Sequence, residues 1–286
     1  MRHALAILCT VFVLVTTPTA QTPARPQRII SLVPALTEML FAVGAGPQVV
    51  AVSSFDEYPP QVKNLERVGA LLDPNLERIL ALRPDLVAVY GSQQDLKTQL
   101  ARASIPVYSY RHTGLADIAT TIREIGARVG HAAEARAVTD RIEAQLASIR
   151  ARVGTSPRPR TLLVFGREAG ALRGIYASGG VGFLHDMLEA AGGEDVFADI
   201  KRESVQATTE LILARKPDVI LEIRSGASET GRLASEVAVW RTLASIPAVR
   251  NNRVHFIIDP RTVVPGPRVA EATELLARTL HPERFK

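Results

Sequence analysis

The sequence is almost without cysteine. Its 286 residues contain one, Cys9, which lies in an apolar run from Ala4 to Val15 near the N-terminus. If this run is removed on export, the mature chain has no thiol, which excludes disulfides, a cysteine nucleophile and thiolate metal sites. A mature chain of about 266 residues can bury enough apolar surface to fold without such crosslinks.

The sequence also has little that could span a membrane. The run from Ala4 to Val15 has 12 residues, whereas a transmembrane helix needs about 20. It follows a short basic start and precedes TTPTAQTPARPQ, which is the order of regions in a secretory signal peptide. We therefore expect a signal peptide over residues 1–20, a linker over residues 21–27 and export to the periplasm, with a retained membrane anchor as the alternative.

Signatures of nucleic-acid binding and of catalysis are missing as well. The net charge is +5, but the basic residues form no run of five and do not alternate with aromatics, which disfavours nucleic-acid binding. The six histidines show neither H-x-H nor H-E-x-x-H spacing, and SGGVG at Ser178 lacks the Lys-Ser/Thr of a phosphate-binding loop. We therefore expect no catalytic residue, no metal site and no nucleic-acid partner.

Three pairs of similar segments occur in the same order along the chain. NLERILALRPDLVAVY and TTELILARKPDVILEI share a Glu, an Ile-Leu-Ala and a basic-Pro-Asp triplet at the same spacing. Both patterns are typical of a helix, a turn and a buried strand. The three pairs are residues 75–90 with 208–223, 100–110 with 243–257, and 35–46 with 183–194. This repetition predicts two similar lobes.

Short apolar runs alternate with helical segments in each lobe, which predicts an α/β fold with a parallel sheet covered by helices. Residues 130–154 lie between the lobes, begin and end with glycine, and carry apolar residues at helical spacing. They predict one helix of about 22 residues, roughly 33 Å long. We expect an N-terminal lobe over 28–129, this inter-lobe helix, and a C-terminal lobe over 155–286. A single packed helix resists closure, so the cleft between the Rossmann-like lobes should be largely preformed.

Ligands of parallel α/β sheets bind beyond the carboxyl ends of the strands. All five tyrosines fall at or near predicted strand ends, and the loop SSFDEYPP, residues 53–60, is stiffened by two prolines. Rings and arginines at these ends suit a large, flat, partly anionic ligand, although tyrosines also favour strands for structural reasons. The candidate ligand-binding residues are Phe55, Asp56, Tyr58, Tyr90, Tyr108, Tyr110, Arg167, Tyr176, Arg224, Asp259, Arg261 and Arg268.

Several longer segments resemble one family. RIISLVPALTEMLFAVGA, VVAVSSFDEYPP, VGALLDPNLERILALRPDLVAVY and GPRVAEATELLARTLHPE resemble the periplasmic binding proteins that serve ABC importers of cobalamin and iron complexes, and the cobalamin-binding branch most. A Gly-Gly-x-x-x-Phe from Gly192 to Phe197 fits the same branch. The resemblance covers nearly the whole mature chain. It implies a monomer of the class III type, with two α/β lobes joined by one long helix and a ligand cleft between them.

The resemblance also implies roles for particular residues. Tyr90 and Tyr176 match cleft positions at which cobalamin binders place aromatics. The chain departs from the branch at Leu71 and Ser204, where tryptophan can occur, and Leu71 joins the ligand-binding candidates. An acidic residue on each lobe docks onto the ABC permease in the family, and these two residues carry over to Glu77 and Glu210. The alternative is that each carboxylate only stabilises a helix N-terminus.

We therefore expect a binding protein without a cofactor that captures cobalamin in the periplasm and delivers it to a permease. The same role for a ferric siderophore or for haem stays open. Haem needs an axial ligand, for which the candidates are Tyr108, Tyr110, His112 and Tyr176. An exported α/β enzyme and a structural module are the alternatives from other classes, and the first of these lacks a visible nucleophile–base arrangement.

Overall fold

The computed structural model describes residues 25–111, 113–224 and 233–286. They form two α/β lobes joined by one long helix. The predicted signal peptide and His112 lie outside these ranges. None of the helices within them is both long and apolar enough to cross a membrane.

The N-terminal lobe is built on a parallel sheet. Its strands are β1 Ile29–Ser31, β2 Val49–Val52, β3 Glu66–Arg67, β4 Leu86–Tyr90 and β5 Val107–Tyr110. They are ordered β3-β2-β1-β4-β5, and every pairing is parallel. The carboxyl ends of all five strands therefore lie at one edge of the sheet, as the sequence predicted.

The C-terminal lobe has a mixed sheet, which differs from the parallel sheet predicted for it. Its strands are β6 Arg160–Gly166, β7 Ile175–Ser178, β8 Glu194–Asp195, β9 Ser204–Ala207, β10 Val219–Arg224 and β11 Val254–Ile258. Strands β11, β10, β6 and β8 pair in parallel, whereas β7 is antiparallel to both β6 and β9. The connection between β6 and β7 is too short for a crossover helix, so β7 returns as an antiparallel neighbour.

Ten α-helices lie in the described ranges and cover the two sheets. They are α1 Pro34–Ala42, α2 Leu76–Ala81, α3 Gln94–Arg102, α4 Leu115–Val129, α5 Ala132–Val153, α6 Phe183–Ala190, α7 Thr209–Arg215, α8 Leu233–Trp240, α9 Pro247–Arg250 and α10 Val269–Leu280. The predicted inter-lobe helix corresponds to α5, which has 22 residues.

Helix α5 joins the lobes through one continuous apolar core. Its buried side chains include Ile142 and Leu146. They belong to a cluster that contains Met39 of the N-terminal lobe and Leu221 and Leu276 of the C-terminal lobe. Because each lobe buries apolar surface against the same helix, separating the lobes would expose that surface to water.

The contact between α4 and α5 yields a test of this core. Gly126 of α4 lies against α5, and a Cβ atom there would be 2.3 Å from the Cβ of Ala135. We expect Gly126→Leu to lower the free energy of unfolding by about 1–3 kcal/mol, because overpacking outweighs the gain in helix propensity. Urea unfolding measures this change. Ala127→Leu, on the exposed face of the same helix, is the control, and equal losses in both variants would contradict the tight contact.

Candidate ligand-binding site

An apolar hollow lies at the carboxyl edge of the N-terminal sheet. It has a volume of about 510 Å³, and its lining includes Leu32, Pro34, Phe55, Leu71, Leu72 and Tyr90. Phe55 is 73% exposed and Leu72 is 93% exposed. Large apolar side chains grouped in the open mark a surface that is suited to binding. We call this surface the N-lobe hollow.

The loop of residues 53–60 presents Phe55 to this hollow from a rigid frame. The buried carboxylate of Asp56 accepts hydrogen bonds from the backbone N–H and the hydroxyl of Ser53, at 2.9 and 2.5 Å. Arg67 donates to the carbonyls of Ser53 and Asp56, both at 2.7 Å. Burial raises the pKa of Asp56, and the Ser53 hydrogen bonds oppose this shift. Asp56 thus anchors the loop internally, although the sequence suggested it as a ligand contact.

Tyr58 lies outside the N-lobe hollow. It lines a separate groove with Glu38, Phe41 and Arg268, at the interface between the lobes. The guanidinium carbon of Arg268 lies 3.8 Å from the centre of the Tyr58 ring. The two aromatic residues of the loop therefore lie on different surfaces. Phe55 lines the N-lobe hollow, and Tyr58 stacks against an arginine of the other lobe.

A second apolar hollow lies on the C-terminal lobe. It has a volume of about 500 Å³ and is lined by Phe165, Gly182, Phe183, Leu184, Glu203, Ser204 and Val263. Tyr176 is 44% exposed and its ring centre lies 6.4 Å from that of Phe165. Because β7 is antiparallel, its beginning lies beside the end of β6, and Tyr176 pairs with Gly166. This surface, which we call the C-lobe hollow, thus adjoins Tyr176.

The two hollows border one inter-lobe contact. Tyr90 of the N-lobe hollow packs edge-on against Tyr110, with ring centres 6.2 Å apart. The hydroxyl of Tyr110 donates to the carbonyl of Pro265 at 3.4 Å, and Val263 of the C-lobe hollow is two residues away. Both hollows thus adjoin this contact between the lobes, and we infer that they are the two walls of one cleft. Burial raises the pKa of Tyr110, which favours the protonated hydroxyl that donates this hydrogen bond.

Tyr108 takes no part in the cleft. Its hydroxyl donates to the carboxylate of Glu124 on α4 at 3.0 Å, which turns it toward the helix that covers the sheet. The sequence offered Tyr108, Tyr110 and Tyr176 as haem ligands. Of these three tyrosines, Tyr176 has its side chain exposed beside a hollow.

Arg167 is buried in a cluster of charged side chains. Its side chain is fully buried and forms ion pairs with Glu222 at 3.0 Å and with Glu236 at 2.6 Å. The indole N–H of Trp240 also donates to Glu222, at 2.8 Å. The sequence proposed Arg167 as a ligand contact because it follows β6. The structure corrects this, since the side chain turns inward toward carboxylates that lie far off in the sequence.

The other candidate arginines are also paired. Arg224 pairs with Glu222. Arg261 pairs with Asp259 at 2.6 Å and with Glu271 at 2.9 Å. Hydrogen bonds from Arg261 hold the pKa of Asp259 below its usual value. Because each positive charge already meets a carboxylate, the described walls of the cleft are more apolar than the sequence suggested.

Glu77 and Glu210 occupy equivalent places on the two lobes. Each is exposed and lies in the first turn of its helix, α2 or α7. The helices begin alike, since Asn75 and Thr208 accept hydrogen bonds from the backbone N–H groups of the first turn. Hydrogen bonding lowers the pKa of Glu210. Within the described part of the chain neither carboxylate forms an ion pair, so both are open to a partner.

Several cleft residues escaped the sequence analysis. Leu72 and Phe183 line the hollows but lie outside the predicted strand ends, whereas Val263 follows the last predicted strand and was not chosen as a candidate. The signal for Phe183 was its place at the start of a helix directly after the glycines of SGGVG. In the three described ranges, His, Asp and Glu side chains nowhere gather in a group that could hold a metal ion.

Comparisons with known proteins agree with this architecture. Residues 29–261 match the family model described as periplasmic binding protein. The vitamin B12-binding protein of Pectobacterium atrosepticum is 33% identical over 264 residues, which cover 90% of this chain and 89% of that relative. The crystal structure of the periplasmic vitamin B12 binding protein of Vibrio cholerae has a TM-score of 0.77 at 26% identity and covers 91% of this chain and 99% of that one. The periplasmic heme-binding protein of Roseiflexus sp. RS-1 has a TM-score of 0.77 at 27% identity, with 90% and 99% covered. The chain belongs to the periplasmic binding protein family, whose members are binding proteins and not enzymes.

The burial of Arg167 can be tested through stability. We expect Arg167→Met to lower the free energy of unfolding by about 3–5 kcal/mol, because it leaves the buried carboxylate of Glu236 without its ion-pair partner and removes one of the two arginines that pair with Glu222. Urea unfolding measures the loss. The matched control is Arg173→Met, which breaks the exposed pair with Glu168 and should cost about 0–1 kcal/mol. A variant of normal stability that loses ligand affinity would instead support the role predicted from the sequence.

Proposed function

We propose that this periplasmic binding protein captures cobalamin in the periplasm and delivers it to an ABC permease. The observation that carries the proposal is a pair of apolar hollows, one on each lobe, with Phe55 and Leu72 exposed at the first and Tyr176 exposed beside the second. Similarity to vitamin B12-binding relatives supports the choice of ligand.

The dimensions and polarity of the cleft suit a large macrocycle. Each hollow is about 500 Å³ and falls within the range of pockets for drug-sized ligands, so the two together can hold a larger molecule by its two faces. Burial of the exposed rings supplies the driving force. Because the 53–60 loop is already held by Asp56 and Arg67, little ordering cost is added on binding.

Haem is the second candidate, and one observation favours it. Tyr176 is exposed beside the C-lobe hollow and could supply an axial oxygen ligand, and a heme-binding protein is among the similar structures. The paired arginines count against a strongly anionic ligand such as haem or a ferric siderophore. Such a ligand would have to displace Glu222, Asp259 or Glu38 from Arg224, Arg261 or Arg268.

Calorimetric titration with cyanocobalamin tests the proposed ligand. We expect one-to-one binding with a Kd in the micromolar range or lower, about −8 kcal/mol or better. Phe55→Ala and Tyr176→Ala should each raise Kd roughly tenfold or more, because each removes a ring that the ligand covers. Leu80→Ala is the control, since Leu80 is also an exposed apolar residue but is outside the hollows.

Two results would decide against cobalamin. Absence of saturable binding would exclude it as the ligand. Saturation by haem, with loss of the bound haem's absorption bands in Tyr176→Phe, would assign the site to haem.

We assign the docking of the permease to Glu77 and Glu210. Two exposed carboxylates on equivalent helices of duplicated lobes form a pair of contacts that suits a partner with two similar subunits. Neither residue lines either hollow, so we expect their role to be separable from ligand binding.

Charge reversal tests this docking. We expect the double variant Glu77→Lys/Glu210→Lys to abolish ligand-dependent stimulation of the permease ATPase while the Kd for the ligand stays unchanged. Glu134→Lys is the control. Glu134 is an exposed acidic residue in the first turn of α5, so its charge reversal has the same kind of unfavourable interaction with a helix dipole as the reversals at Glu77 and Glu210. A loss of ligand affinity in the double variant would assign the two residues to the fold or to the cleft.

A further inference from the structure

The duplication places an acidic residue at the same position in two helices, one in each lobe. In the repeat that pairs residues 35–46 with 183–194, Glu38 of α1 aligns with Asp186 of α6. The sequence analysis gave neither residue a role. In the structure both side chains leave their own lobe and contact the other one.

Glu38 reaches from the N-terminal lobe to the start of α10. Its carboxylate is almost fully buried and accepts two hydrogen bonds from Arg268, from Nε at 2.9 Å and from Nη2 at 2.6 Å. Arg268 is the residue directly before α10. Charge-assisted pairs with two parallel hydrogen bonds are among the strongest polar contacts in proteins.

Asp186 makes the reciprocal contact from the C-terminal lobe. Its Oδ2 accepts a hydrogen bond at 3.0 Å from the backbone N–H of Leu115, which is the first residue of α4. A carboxylate at a helix N-terminus also interacts favourably with the helix dipole. Helix α4 follows the last strand of its lobe, just as α10 follows the last strand of the other lobe.

A glycine lets each carboxylate approach. A Cβ atom at Gly114 would be 2.4 Å from Oδ2 of Asp186, and one at Gly266 would be 3.3 Å from Oε2 of Glu38. The duplicated lobes thus share an acidic residue, a glycine and a helix start, arranged reciprocally across the interface.

We propose that Glu38 and Asp186 are positioning residues that form a duplicated brace, which holds the two lobes at a fixed separation and so sets the width of the cleft. The consequence for ligand affinity rests on the proposed function, whereas the brace itself does not. The Glu38 end also reaches the ligand loop, because the guanidinium that Glu38 holds is stacked on Tyr58.

A brace can be distinguished thermodynamically from two independent local contacts. Opening of the lobes breaks both contacts together. Removal of either contact therefore raises the equilibrium constant for opening, and the increase is detected at both ends of the brace. Hydrogen exchange detects such rare opening. Ligand affinity falls only when the open form becomes appreciably populated, so a single variant should bind nearly normally and the double variant should not.

Hydrogen exchange in the ligand-free protein is the primary test. We expect Asp186→Asn to accelerate exchange about tenfold in a peptide covering residues 264–270, at the Glu38 end. Glu38→Gln should do the same for residues 113–118, at the Asp186 end. This factor corresponds to the loss of one strong hydrogen bond. Acceleration confined to the peptide that contacts the changed side chain would overturn the brace and leave two independent local contacts.

Two residues provide matched controls within single lobes. Glu124 of α4 accepts from the hydroxyl of Tyr108 at 3.0 Å, and Glu274 of α10 pairs with Arg278 at 2.6 Å. Glu124→Gln and Glu274→Gln should leave exchange at the opposite end unchanged, since neither contact crosses the interface. Remote acceleration in these controls as large as in the brace variants would mean that general destabilisation is responsible.

Ligand binding completes the test. With cyanocobalamin as the probe, we expect each single variant to change Kd less than about threefold and the double variant to raise it tenfold or more. Unchanged affinity in the double variant would overturn the control of cleft width. If the unaltered protein does not bind cyanocobalamin, the proposed function fails, while the exchange measurements still decide whether the brace exists.

Discussion

The apolar core that both lobes share along α5 is the constraint on which the rest of the structure depends. Ile142 and Leu146 of this helix belong to the same buried cluster as Met39 of one lobe and Leu276 of the other. Wide opening would expose this surface to water, at a cost proportional to its area. A binding protein built in this way cannot enclose its ligand by a large closure, so it depends on a cleft whose walls are already in place.

The distribution of charge follows from the same constraint. With a fixed cleft, arginines near the strand ends either meet a ligand or must be neutralised by the protein. Arg167, Arg261 and Arg268 are neutralised by Glu222, Asp259 and Glu38. Apolar side chains therefore form most of the described walls, and the paired charges stabilise the fold outside them. The cleft is thus apolar in a chain whose net charge is positive.

The sequence predicted the features that depend on local patterns. Repeated segments indicated two lobes, and the spacing of apolar residues between glycines indicated α5. The antiparallel direction of the strand that carries Tyr176 was missed, because direction depends on how a short connection folds back and not on the composition of the strand. The sequence also could not predict which residue pairs with Arg167. Glu222 lies 55 residues away in the sequence, and the two meet only because β6 and β10 are neighbours in the sheet. Strand-end position alone also failed to separate Tyr108, turned to α4, from Tyr90 at the hollow.

Some features are alike in the two duplicated lobes and others differ. The features that are alike contact a symmetric partner, and the features that differ do not. Glu38 and Asp186 face each other's lobe across a pseudo-symmetric interface, so both copies need an acidic residue there. Glu77 and Glu210 begin equivalent helices, which suits a partner with two similar subunits. Under the proposed function, the cleft walls contact one ligand that has no reason to share that symmetry. Phe55 and Leu72 on one wall therefore have no counterparts in Tyr176 and Phe183 on the other, and the walls are where the lobes differ most in chemistry.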